Sequence, residues 1–375
     1  MSAGFVPPPY PYDRLRPVIE VAERHPGGAV DLSIGTPCDP PPQIVLDALA
    51  SAEGLRGYPP SAGTAELRGA AAGWLGRRFD LDVDPATVGA CIGTKELVAS
   101  LPSALRLRDP SRDTVLYPAI SYPTYEMGAV LAGCRAVAVP VDERFRLDLS
   151  AIDPADARRA LCLWVNTPGN PAGGLDDLAA AAAWGQDHGV LVCSDECYVE
   201  FTWTGEPDTI LRHAGRGVLA VHSLSKRSNL AGARVGCYVG DPDLVAYLIE
   251  VRKHEGRMVA APLQHAAAVA WGDDAHVEAQ RAVYRNRLDR LAALLEPYTA
   301  DVGLPDGGFY LWASAPDGDA WEFARRLARD GGIVVSPGEF YGSYGADRVR
   351  VAAVQPDDRI ALAESRLAVA DGYPT

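Results

Sequence analysis

The stretch 221–236, VHSLSKRSNLAGARVG, sets a single lysine, Lys226, among serines at the end of an apolar run, with Arg234 eight residues on. A lysine there packs poorly and is an odd surface residue. It makes sense where something anionic sits beside it and bonds to its amine. Partial desolvation or nearby cations lower a lysine's pKa and free the amine to attack an aldehyde. Ser223 and Ser225 supply hydroxyls and Arg234 a guanidinium, the groups that hold a phosphate. Taken alone, the pattern also fits a solvated loop lysine, so its neighbours matter.

One segment earlier, residues 190–201, VLVCSDECYVEF, bring Asp195 to the carboxyl end of an apolar strand, with Tyr198 three residues on. A carboxylate in that position is costly to bury unless it meets a cation or donors. A helix N-cap suits it, and so does a pyridinium nitrogen, in which case Tyr198 can reach a ring hydroxyl. Residues 162–174, CLWVNTPGNPAGG, end in a turn where Asn166 and Asn170 either initiate the turn or donate to a substrate carboxylate or cofactor oxygen. Residues 91–97, CIGTKEL, run through a glycine into a helix. Gly93, Thr94 and Lys95 are then either a Thr-capped helix start or a backbone anion site. In 118–128, PAISYPTYEMG, Tyr122 and Tyr125 follow a strand. They are half-buried packing, or one of them stacks on a flat heterocycle.

These segments alternate in a regular way. Short β-branched runs at 87–93, 114–118, 136–141, 160–166, 190–196, 217–223 and 235–240 are separated by helical patterns such as 96–107 and 176–189. Strand–helix alternation predicts an α/β fold with a mostly parallel sheet of seven strands flanked by helices, its ligands collecting beyond the strands' carboxyl ends. The last hundred residues read as α+β. An amphipathic run at 273–298 leads to strands in 307–313, 333–337 and 348–354 and a helix over 320–331. The proline-rich opening packs with this material, so the smaller domain uses both chain ends. The expected division is 1–45 as an N-terminal arm and part of the small domain, 46–270 as the large cofactor-binding domain, and 271–375 as the C-terminal small domain.

Charge narrows the partners. With 35 Lys and Arg against 49 Asp and Glu, the net charge of −14 argues against nucleic acid or an anionic membrane. Seven cysteines, at 38, 91, 134, 162, 193, 197 and 237, form no CxxC pair and have no histidine at ligand spacing. They read as reduced thiols, mostly packing, with no metal site. The opening MSAGFVPPPYPYDRL has neither a basic start nor an apolar core, and no apolar run approaches the roughly 18 residues of a membrane span. A cytoplasmic enzyme is expected.

Glycine–threonine at a helix start, an aromatic, NPAG, SDECY and SLSK plus an arginine fall in this order at strand ends, from about Asp31 to Val354. The set resembles the class I/II, fold type I pyridoxal-phosphate aminotransferases. The resemblance implies that Lys226 bonds the aldehyde of pyridoxal 5'-phosphate and later carries a proton at the substrate's α-carbon. It implies that Asp195 keeps the pyridine nitrogen protonated, that Tyr198 and Asn170 bond the ring hydroxyl oxygen, and that Tyr122 stacks on the ring. The phosphate falls to Gly93, Thr94, Lys95 (by backbone), Ser223, Ser225 and Arg234. Tyr58, in GYPPSAG, reaches the phosphate of a neighbouring subunit, which implies an obligate homodimer with shared sites. Arg350, in RVRVAAV, clamps the substrate α-carboxylate with help from Gly35. Arg348 is its competitor, expected on the opposite strand face.

More narrowly, VDLSIGTPCDPPP, HSLSKRSNLAGARVG, EVRKHEGRMVAAP and SPGEFYG are similar to the N-succinyldiaminopimelate aminotransferases of actinobacterial type. That similarity implies amino transfer between N-succinyl-LL-2,6-diaminopimelate and 2-oxoglutarate in lysine and diaminopimelate biosynthesis. Arg257, in EGRMVAAP, is read as a surface arginine, with a distal substrate carboxylate as its other role. The competing readings are an aspartate, acetylornithine or aromatic aminotransferase, a β-lyase on the same cofactor, and a non-catalytic effector-binding domain.

Overall fold

The computed structural model describes residues 4–50, 56–299 and 301–370; the first three residues of the opening segment lie outside them. Two compact units share the described residues. One is drawn from 1–35, 287–304 and 310–375, the other from 36–286 and 305–309.

The larger unit is built on a seven-stranded sheet. Its strands are β1 Val88–Cys91, β2 Thr114–Pro118, β3 Arg135–Val139, β4 Ala160–Asn166, β5 Leu191–Asp195, β6 Val218–Ser223 and β7 Gly236–Gly240, in the order β1-β7-β6-β5-β4-β2-β3. β2 through β6 pair in parallel, whereas β7 runs antiparallel to both its neighbours. β4 is buried along its whole length, as a central strand covered on both faces must be.

The period of two sorts the strand side chains between two layers. Leu219 and Val221 of β6 pack with Leu97 and Leu101 of α2 (Thr94–Arg108) and with Tyr125 and Ala129 of α3 (Thr124–Leu131). Val218 and Ala220 turn the other way, onto Leu178, Ala181 and Ala182 of α4 (Leu178–His188). Cys237 and Val239 of β7 likewise meet Trp74, Leu75 and Phe79 of α1 (Ala65–Phe79). Helix ends follow their caps. Thr64 accepts from the Leu67 amide to start α1, and Asp177 accepts from Ala180 to start α4, which Gly189 ends in a left-handed conformation.

The smaller unit joins both chain ends. β8 Tyr310–Ser314, β9 Ser336–Pro337 and β10 Arg348–Ala352 form an antiparallel sheet with β10 central, and Val30–Asp31 pairs in parallel with Ile333–Val334. Helix Ala320–Gly331 starts at the Asp319 cap, ends at Gly332 and buries Phe323, Ala324 and Leu327. Among the described residues no helix is long and apolar enough to cross a membrane, and no cluster of His, Cys, Asp or Glu could hold a metal ion.

Candidate active site

Strand register assembles one end of the site. Gly236 of β7 pairs with Cys91 of β1 on one side and with Ser223 of β6 on the other. The turn after β1, the turn after β6 and the turn before β7 therefore meet at one sheet edge. Gly93 caps α2 with φ +72, and no side chain caps the first turn, so its N–H groups are available to an anion. A Cβ on Gly93 would stand 2.2 Å from Nη2 of Arg234. Only glycine lets the guanidinium lie this close to the helix start. Arg234 is itself left-handed (φ 52), and its Nη1 donates to the Ala231 carbonyl at 2.9 Å. Ser223 and Ser225 are buried alongside, the Ser223 hydroxyl accepting from the Ser225 amide at 3.1 Å.

Thr94 is the first residue of α2 rather than its cap, and its hydroxyl accepts from Cys197 Sγ at 3.3 Å. Lys95 is exposed, with Nζ 5.5 Å from the centre of the Tyr122 ring.

The other end is held by β4, β5 and β6. Asp195 closes β5, buried, and is not a helix cap. One carboxylate oxygen accepts from the Tyr125 hydroxyl at 2.8 Å and the other from the Cys197 amide at 3.2 Å. Burial pushes its pKa above the ordinary value, and the donors from Cys197 and Tyr125 oppose that rise without cancelling it. Asn166 pairs with Asp195 in the ladder and donates to its carbonyl at 2.9 Å. The Asn166 side-chain oxygen accepts from the Asn170 amide at 2.8 Å, across a turn with cis bonds before Pro168 and Pro171. Asn170 Nδ2 then reaches the Tyr198 hydroxyl at 3.5 Å.

Lys226 sits half-buried on a single helical turn, α5 (Leu224–Arg227), directly after β6. Its Nζ lies 5.7 Å from the Phe309 ring, and the Tyr198 ring packs edge-on against the same phenylalanine at 5.3 Å. The register thus gathers Gly93, Thr94, Ser223, Ser225 and Arg234, and it brings Asp195, Asn170, Tyr198 and Lys226 to the same sheet edge. Tyr58 belongs to this unit but is 96% exposed, turned outward. Sequence reasoning had Tyr125 only as an aromatic and did not find its bond to Asp195. It did not single out Phe309 at all.

Arg350 and Gly35 belong to the smaller unit. Arg350 is buried between the rings of Tyr310 (4.2 Å) and Tyr341 (4.7 Å), and its Nη2 donates to the Tyr12 hydroxyl at 3.0 Å and the Ser33 carbonyl at 2.6 Å. A Cβ on Gly35 would meet the Tyr310 hydroxyl at 2.0 Å. Arg348 and Arg350 share β10 two residues apart, so they lie on the same face and not on opposite faces as expected. Position along the strand separates them: Arg348 pairs with Asp301 at 2.9 Å. Arg257 sits at the edge of the larger unit's surface. It is half-buried, ion-paired to Glu96 and Glu255. Glu96 also takes both ends of Arg252; burial pushes its pKa up, but the two guanidiniums hold it below the usual range.

These residues fit a phosphorylated pyridinium aldehyde. A buried carboxylate held by neutral donors matches a ring N–H, and the Gly93–Arg234 cradle matches a phosphate. Residues 28–365 match the family described as aminotransferase class I and II. The chain belongs to that family. The aminotransferase is 43% identical over 96% of its length to the 4-dedimethylamino-4-oxo-anhydrotetracycline transaminase of Streptomyces rimosus, covering 99% of that protein. It is 35% identical to the LL-diaminopimelate aminotransferase of Aquifex aeolicus, covering 90% of each chain. Among solved structures, a probable N-succinyldiaminopimelate aminotransferase of Thermus thermophilus superposes with a TM-score of 0.86 at 31% identity, covering 96% of this chain and 99% of that one. The family uses pyridoxal 5'-phosphate, and the aminotransferase is a fold type I enzyme.

Proposed function

We propose that this aminotransferase exchanges an amino group between N-succinyl-LL-2,6-diaminopimelate and 2-oxoglutarate, as a homodimer whose two sites are shared between subunits. The observation that carries the substrate reading is the full-length likeness to the Thermus thermophilus protein. The LL-diaminopimelate aminotransferase relative, whose named substrate has the same carbon skeleton without the succinyl group, points the same way.

Pyridoxal phosphate supplies an aldehyde and a ring that draws electrons from a substrate's α-carbon. The remaining work falls to side chains. Lys226 would hold the cofactor through its amine and would move the proton at the substrate's α-carbon. Asp195, oriented by Tyr125 and the Cys197 amide, keeps a proton on the ring nitrogen. Tyr198 and Asn170 would hold the ring hydroxyl oxygen, and Tyr122 would pack on the ring. Arg234, Ser223, Ser225 and the α2 start hold the phosphate, with Tyr58 of the other copy. Arg350, fixed between two tyrosines, binds the α-carboxylate beside Gly35.

A second reading rests on the 43% relative, whose name gives it a polycyclic ketone as substrate. A substrate panel separates the two. The spectrum of the bound cofactor is followed on adding N-succinyl-LL-2,6-diaminopimelate, LL-diaminopimelate, aspartate, acetylornithine or an aromatic amino acid, and each amine-loaded form is then offered the tetracyclic ketone. The succinylated donor is expected to react fastest; a clear preference for another compound overturns the assignment. Lys226→Ala is expected to lose both the visible absorption and turnover, and full turnover in that variant would end the case for Lys226.

A further inference from the structure

Directly behind Lys226 lies an ionic cluster centred on a buried Arg227–Glu200 pair. Arg227, the next residue, is 2% exposed. Its Nε donates to Glu200 Oε1 at 2.9 Å, Nη1 to the Ala270 carbonyl at 2.6 Å, and Nη2 to Asp274 Oδ1 at 2.7 Å. The guanidinium stands 5.7 Å from the Trp74 ring and 5.2 Å from that of Trp271, within stacking reach of both indoles. Glu200 is equally enclosed. It accepts from Trp74 Nε1 at 2.7 Å and pairs with Arg78 at 2.9 Å, while Arg281 donates to its backbone carbonyl. Other titratable groups around the pair are Arg77, bonded to Asp274, His276, bonded to the Ser228 hydroxyl, and Asp273, which pairs with His276 and whose carbonyl accepts from Arg227.

Such a cluster is a costly way to fill a core, since burying ions forfeits hydration that apolar packing would not. Its place in the chain gives it a use. Glu200 is two residues past Tyr198, and Arg227 one past Lys226. α5 is four residues long, too short to hold its own shape. Tyr198 and Lys226 also share the Phe309 ring as a floor. Fixing Glu200 to Arg227 fixes the two short segments that present the tyrosine hydroxyl and the lysine amine.

We propose that the Glu200–Arg227 pair is a positioning device that sets Tyr198 and Lys226 relative to each other and so sets the proton affinity of the lysine-bound cofactor. This rests on Lys226 being the cofactor's amine. Loosening the pair lets the Tyr198 hydroxyl drift from the ring oxygen, and removing Arg227 also takes away a nearby positive charge. Both effects make a protonated lysine linkage easier to form.

The test is a pH titration of the visible absorption of the holoenzyme, with the rate of cofactor uptake by the apoprotein and the thermal midpoint measured in parallel. Arg227→Met and Glu200→Gln address the pair directly. Arg227→Lys keeps the charge but cannot form the same fork, and Asp274→Asn alters a contact whose side chain is 47% exposed and therefore tolerant. Arg227→Met is expected to move the titration midpoint upward by about half a pH unit or more and to slow cofactor uptake several-fold. Arg227→Lys should give a smaller shift in the same direction, and in Asp274→Asn the lost negative charge works against the loosening, so its shift is smaller still. A role in stability alone lowers the thermal midpoint and leaves the titration where it was. If Arg227→Met fails to fold, the other variants decide by the same criterion. An unmoved midpoint in every variant that folds overturns the proposal. Retention of the visible band in Lys226→Ala instead overturns the assignment on which it rests.

Discussion

Asp195 shows how a single side chain can be legible in sequence while its setting is not. A carboxylate after VLVCS stands out because apolar strands rarely end on an unpartnered charge, and the same holds for Lys226 after VLAVHS. Tyr125, 70 residues before Asp195, gives no such sign. Its hydroxyl is matched to the carboxylate only once β2 and β5 lie in one sheet with α3 over them. A hydrogen bond from a neutral donor to a buried carboxylate contributes on the order of 1.5–3 kcal/mol. Tyr125→Phe should therefore raise the Asp195 pKa further, so that in the proposed site the carboxyl competes with the ring nitrogen for its proton. The expected outcome is a loss in kcat of about tenfold or more with KM for the amino donor little changed. A kcat within a factor of two of the parent enzyme would remove Tyr125 from the site's machinery.

At the scale of elements, all seven strands were readable because each is a short β-branched run between turns, and helix 320–331 was readable to the residue, its ends fixed in the structure by the Asp319 cap and Gly332. The reversed direction of β7 was not, since nothing within GCYVG distinguishes a parallel from an antiparallel partner. That reversal brings Arg234 back to the edge where Lys226 left, while the parallel pairing of β5 with β6 places His222 beside the chain that follows β5. His222 lies 3.5 Å from Glu196 and packs edge-on against Trp74 at 4.9 Å. Burial pushes Glu196 up to about 8 and His222 down to about 3, so both are neutral in the fold at pH 7.

The two groups act on stability with opposite sign. Glu196, raised from its ordinary 4.5, contributes fully below that value and loses its share as pH climbs toward 8. His222, lowered from 6.5, contributes fully above that value and loses its share as pH drops toward 3. They oppose each other between 4.5 and 6.5, so the interval from pH 6.5 to 8 isolates the glutamate. Glu196→Gln should flatten the fall in unfolding free energy across that interval, measured by urea denaturation. Parallel slopes for parent and variant would mean that Glu196 is already ionised in the fold.

For the molecule as a whole, the proposed sharing of sites between two copies makes a prediction that one chain cannot satisfy alone. Tyr58, 96% exposed, serves the other copy in that arrangement. Lys226→Ala and Tyr58→Ala chains should each be inactive or nearly so. Mixed, unfolded and refolded together, they form hybrids in which one site has both an intact lysine and an intact tyrosine. A symmetric dimer then predicts recovery of about a quarter of the parent activity. Activity no higher than the average of the two parents would place Tyr58 outside its neighbour's site.

The smaller unit also constrains how the protein is made. Val30–Asp31 takes its ladder partner from Ile333–Val334, and Arg350 rests on the carbonyl of Ser33. On a ribosome adding 5–20 residues per second, the first thirty residues must wait roughly 15–60 s for those partners to emerge. The larger unit, contiguous from residue 36 to 286 but for its short return at 305–309, can gather itself in the meantime. A chain cut short between residues 310 and 332 would keep the proposed lysine and phosphate cradle yet leave Val30–Asp31 without Ile333–Val334 to pair with, and would lack the arginine proposed to grip a carboxylate.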